Sequence, residues 1–124
     1  MHRVFLTAAG VYGASGVLFG AFGAHALRDV LSPARLGVWE TAVNYQLLHA
    51  LALLGIGLWY LQAPRRLVAA SGLCMLLGVL AFSGSLYLLA HGGPAWLGPV
   101  TPLGGTLMAA GWLCVALAAA RGGA

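Results

Sequence analysis

His49 lies about two turns inside a long apolar run, where an imidazole has no water to bond to. Glu40 stands just before that run, and Asn44, Tyr45 and Gln46 lie within it. Four-residue separations put Glu40 and Asn44 on one helical face, and Tyr45 and His49 on the neighbouring one. Ser83, Ser85 and Tyr87 form a second group, with His91 just beyond them. His25 closes the first apolar run and Thr101 opens the last. If consecutive runs are antiparallel helices, all these side chains gather in one half of the molecule.

Three kinds of chemistry suit such a set. The first is a hydrogen-bonded network that fixes how the helices meet, since an unpaired polar group in an apolar interior is costly. The second is a ligand site, with His25, His49 and Tyr87 converging on a small molecule, lipid, cofactor or metal. The third is proton or ion movement, which would need ionisable residues continuing through the other half; almost nothing comparable stands there apart from Thr7, Ser71 and Thr106. The network is the preferred reading. No His-x-x-x-His or His-x-x-Glu-His pair occurs, so no metal site is assigned and no cofactor is named.

An enzyme is the least favoured class. Ser83 and Ser85 have no base at a recognisable spacing. The glycines of the first run follow no strand and lack the Gly-x-Gly-x-x-Gly order of a dinucleotide site. Thr101-Pro102 followed by Gly104-Gly105 reads as a helix start capped by Thr101, in preference to an anion site.

The elements that position these groups follow from composition. Of 124 residues, 61% are hydrophobic and 6% charged, far from the roughly 25% charged of a soluble domain. So small a domain could not hide this much apolar surface from water, whereas lipid accepts it facing outward. Four spans, at about 4–24, 41–61, 67–90 and 102–120, have the ~20 residues that cross a ~30 Å hydrocarbon layer. They lack the alternation of barrel strands. The fold class is therefore an all-alpha membrane protein, a single antiparallel four-transmembrane-helix bundle. The first run has the basic start and small residues of a secretory signal, but its length favours a retained helix.

Ser32-Pro33 reads as a cap and first helical residue, so the second helix runs either unbroken from Pro33 or after a separate interfacial helix. Arg3, Arg65, Arg66 and Arg121 fall on one side, and Arg28, Arg35, Asp29 and Glu40 on the other, which predicts cytoplasmic termini. The arginines are scattered, which argues against a nucleic-acid partner and leaves membrane lipids and further copies of the chain. Cys74 and Cys114 read as small buried residues. Close packing between helices falls to small residues: Gly13, Gly16, Gly20 and Gly23 in the first, Ser71 and Gly78 in the third, and Gly104, Gly105 and Gly111 in the fourth. The first stripe is assigned to contacts within the chain in preference to an oligomer contact.

Four blocks in order carry a resemblance that covers essentially the whole chain: Gly20-Ala-Phe-Gly-Ala-His25-Ala-Leu, Trp39-Glu-Thr-Ala-Val-Asn-Tyr-Gln-Leu-Leu-His49-Ala, Phe82-Ser-Gly-Ser-Leu-Tyr87 and Thr101-Pro-Leu-Gly-Gly105. With these the chain resembles the Domain of Unknown Function 423 family of small bacterial inner-membrane proteins, whose animal relatives are called transmembrane protein 256. The resemblance implies a multi-pass protein of the bacterial cytoplasmic membrane and brings no reaction, substrate or cofactor.

Overall fold

The structure is a computed structural model and describes residues 1–122. Four helices follow one another: α1 (His2–His25), α2 (Pro33–Gln62), α3 (Arg66–Ala90) and α4 (Val100–Ala120), with one 3-10 turn at Ala95–Leu97. Each is long and apolar enough to cross a membrane. Among the described residues there is no strand. Large apolar side chains such as Leu18, Leu80 and Leu113 point outward from the middle of their helices, the surface that a hydrocarbon solvent permits.

The start of α2 follows its local chemistry. Ser32 is extended and its hydroxyl accepts from the Arg35 N–H at 3.2 Å, with Pro33 as the first helical residue. From there α2 continues without a break for 30 residues, so the separate interfacial helix does not form. The start of α4 corrects the expectation for Thr101. The helix begins at Val100 behind Pro99, no side chain caps it, and Thr101 lies inside the first turn. Pro99 already has a helical φ of −67°, and first-turn prolines lack only N–H groups that no helix would use. Thr101 is thereby free to face α3.

Packing runs α1 on α2, α2 on α3 and α3 on α4; α1 meets α3 over a short stretch only, and among the described residues the backbone of α4 comes close to neither α1 nor α2. The bundle is therefore open along two seams. Where α3 and α4 cross, Gly78 and Gly104 bring the backbones together: a Cβ on Gly78 would lie 2.6 Å from Met108 Cγ and 3.0 Å from the Gly104 oxygen. A Cβ on Gly111 would crowd Met75 and the Ser71 oxygen in the same seam, while one on Gly105 would touch Phe82 at ordinary van der Waals distance. Gly16, Gly20 and Gly23 face Leu47, Val43 and Trp39 of α2. Gly13 has open space instead.

Candidate functional site: a polar network between the helices

The buried side of α2 carries Trp39, Ala42, Val43, Gln46, His49, Ala50, Leu53, Ile56 and Gly57, a stripe that recurs every three or four residues. Two polar side chains thus enter the core from one helix. Gln46, 4% exposed, is the hub. Its amide donates to the Tyr12 oxygen at 3.0 Å and to Ser15 Oγ at 2.7 Å, and its carbonyl accepts from the Tyr87 hydroxyl at 2.6 Å. One side chain therefore joins α1, α2 and α3. The Tyr12 hydroxyl donates onward to the Leu76 oxygen at 2.8 Å, closing a second link from α1 to α3.

His49, 2% exposed, joins α2 to α4. Its Nδ1 lies 2.8 Å from the Tyr45 oxygen, and its Nε2 lies 3.1 Å from Trp112 Nε1. A carbonyl can only accept and an indole N–H can only donate. The imidazole is therefore the Nδ1–H tautomer, with its Nε2 lone pair occupied by Trp112. The same side chain offers no free nitrogen to a metal.

The remaining links are simpler. The Ser83 hydroxyl donates to the Ala42 oxygen at 2.8 Å, and Ser85 Oγ lies 2.6 Å from Thr101 Oγ1, tying α3 to α2 and to α4. Trp39 donates its indole N–H to the Phe19 oxygen at 2.9 Å. Its ring packs at 4.6 Å on Tyr87 and edge-on against Phe19 and His91. All of these groups are engaged within the protein. Among the described residues no serine hydroxyl hydrogen-bonds to a histidine or a carboxylate.

Of the residues singled out from sequence, the structure brings His49, Ser83, Ser85, Tyr87 and Thr101 into these contacts. Tyr45 stacks parallel to His49 at 6.1 Å and packs on Phe82, but is 43% exposed. His25, Glu40 and Asn44 point outward and stand apart from the network. The network runs from one end of the bundle, where Ser85 meets Thr101 at the start of α4, to mid-height, where Gln46 meets Tyr12 and Ser15 and His49 meets Trp112.

Tyr12, Ser15, Trp39 and Trp112 are partners that the sequence patterns did not single out. The seven-residue spacing of Trp39, Gln46 and Leu53 carries a signal for the first contact on α2 and for its hub. Trp112 has none. Among the described residues no three histidine, cysteine or acidic side chains come together as a metal-binding group. Along the α1–α3 seam, a cavity of about 210 Å³ opens beside Ser15, Gln46, Ser83 and Tyr87. A second of about 460 Å³ extends from Tyr12 past Thr7 to Arg3.

At the far end of the bundle, Arg65 in the α2–α3 turn donates to the Ala118 and Gly122 oxygens at 3.0 and 2.8 Å, and its guanidinium lies 5.6 Å from the Trp59 ring centre. A cation there answers the unpaired carbonyls at the end of α4. Arg65 Nε is the buried side-chain polar atom that finds no partner among the described residues.

A family model described as a protein of unknown function (DUF423) matches residues 19–105. A UPF0382 membrane protein of Staphylococcus haemolyticus is 48% identical over 95 residues, covering 76% of each chain. The UPF0382 inner membrane protein YgdD of Escherichia coli is 36% identical over 123 residues, covering 96% of this chain and 91% of the relative. The UPF0382 membrane protein YwdK of Bacillus subtilis is 35% identical over 120 residues, covering 96% and 98%. No solved structure matches.

Proposed function

Because this chain belongs to the DUF423 family of small multi-pass membrane proteins, we propose that it is a structural or accessory bundle of the bacterial cytoplasmic membrane, with both termini on the cytoplasmic side. The observation that carries this reading is the engagement of the two polar side chains that α2 buries between the helices. Gln46 uses both amide hydrogens and its carbonyl, and His49 uses both ring nitrogens, all on groups of the same chain. Their partners are backbone oxygens, two hydroxyls and an indole, with no nucleophile–base or base–acid pair among them. The placement of Arg3, Arg65, Arg66 and Arg121 at one end supports the orientation, and the Escherichia coli relative, an inner membrane protein, supports the location.

The test compares His49→Gln with His49→Leu in detergent-solubilised protein. A fastening role is expected to show as lowered thermal stability that glutamine restores in part, with the helical content of the folded state unchanged. A stable His49→Leu protein would oppose the reading.

A second reading rests on the α1–α3 seam. Its cavities open beside polar side chains at one end and at Arg3 on the other, which suits an acyl chain whose phosphate meets the guanidinium. Native mass spectrometry from bilayer nanodiscs separates the two readings. Retained phospholipid that disappears in Arg3→Gln would favour lipid binding, and its absence from wild type would favour the bundle alone.

A further inference from the structure

α2 has two faces, and the network occupies only one. On the opposite face, Gly37, Thr41, Asn44, Leu48, Leu51, Gly55 and Leu58 recur at alternating steps of four and three residues, and every one is exposed. That is the spacing of a left-handed helix pair, sustained over three heptads. The positions that would point away from such a seam, among them Trp39, Gln46 and Leu53, are those buried in the chain's own core. Gly37 and Gly55 have nothing within 4 Å of where a Cβ would be, so the ridge is open to a close neighbour. Leu51, 69% exposed, stands between an α1–α2 groove of about 530 Å³ and an α2–α4 groove of about 250 Å³, both of which it lines.

Asn44 makes this face more than a lipid-facing surface. It lies within two residues of Gln46, the mid-height hub, and among the described residues its carboxamide makes no hydrogen bond. At that depth hydrocarbon offers it none. We propose that a second copy of this chain covers the face, as a parallel pair of α2 helices about a two-fold axis along the membrane normal.

Self-complementarity selects the occupant. Both copies insert with the same orientation, so Asn44 meets Asn44 at equal depth, and each carboxamide donates one N–H to the other's oxygen. In a parallel pair, the residue preceding one core position faces the residue five further on in the partner helix. Here that couples Glu40 of one copy to Tyr45 of the other, twice by symmetry. Both side chains are exposed, one only accepts when ionised, and the other has a phenolic hydrogen to donate. The glycine stripe of α1 is not available for this role at Gly16, Gly20 and Gly23, which α2 of the same chain covers.

The test uses the full chain in native membranes, with Cys74 and Cys114 changed to alanine and single cysteines introduced by Leu51→Cys on α2, Leu18→Cys on α1 or Leu113→Cys on α4. Mild oxidation is expected to yield a homodimer of about twice the 12.7 kDa chain from Leu51→Cys, at least fivefold more than from the other two. Asn44→Leu, at a side chain with no hydrogen bond in its own chain, is expected to raise the dimer dissociation constant in detergent about tenfold, equivalent to about 1.4 kcal/mol. Equal or greater cross-linking at Leu18→Cys or Leu113→Cys would overturn the proposal. So would products formed only with other proteins, or an unchanged dissociation constant in Asn44→Leu.

Discussion

Replacing Gln46 by leucine keeps the side-chain volume close while removing the hub. Two donated hydrogen bonds disappear, to the Tyr12 oxygen and to Ser15 Oγ. Such bonds average about 0.6 kcal/mol each in a membrane bundle. The Ser15 hydroxyl keeps its bond to the Val11 oxygen. The Tyr87 hydroxyl, however, loses its acceptor and is stranded, which costs about 1–3 kcal/mol. Gln46→Leu is therefore expected to destabilise the protein by about 2–4 kcal/mol in all. The diagnostic step is to add Tyr87→Phe. In the parent protein this change leaves the Gln46 carbonyl short of a donor and costs about 1 kcal/mol. In the Gln46→Leu background it removes the stranded hydroxyl and is expected to restore about 1 kcal/mol. Reversible unfolding of all four proteins by denaturing detergent in mixed micelles, followed by circular dichroism, measures the cycle. Tyr87→Phe acting with the same sign and size in both backgrounds would refute the reasoning, as would a Gln46→Leu protein as stable as the parent.

Trp112→Phe strips His49 Nε2 of its donor and is expected to cost about 1 kcal/mol in the same assay. Gly78→Leu drives a side chain into Met108 and the Gly104 backbone, so a loss of about 3 kcal/mol or more, with splayed α3 and α4, is expected from thermal melts and from spin-label distances. Arg65→Met releases the Ala118 and Gly122 carbonyls, and faster amide exchange over the last turn of α4 is expected while the α1–α2 pair is unaffected.

The number of spans and the start of α2 were legible because they depend on length and local chemistry: long apolar runs, and Ser32 before Pro33. What sequence could not supply was rotation about each helix axis. In a soluble bundle, hydrophobic periodicity reports which face is inside. In lipid both faces are apolar, and that signal is weak. Glu40 and Asn44 were grouped with His49 for this reason, although the helix turns them to opposite sides. Thr101 was assigned by a local rule for helix starts, and a contact with Ser85 across the bundle took it instead. Gln46 was visible as a polar residue in an apolar run. Its place as hub depends on Tyr12 and Ser15, which lie 34 and 31 residues away along the chain.

The engagement of the interior polar groups is read most directly at His49. Solid-state NMR of protein labelled with ¹⁵N in histidine and tryptophan, in lipid bilayers, reads the protonation of each ring nitrogen and its through-space neighbours. The expected spectrum has a protonated Nδ1 and an unprotonated Nε2 close to the Trp112 indole nitrogen. A protonated Nε2, or one with no contact to Trp112, would contradict the account.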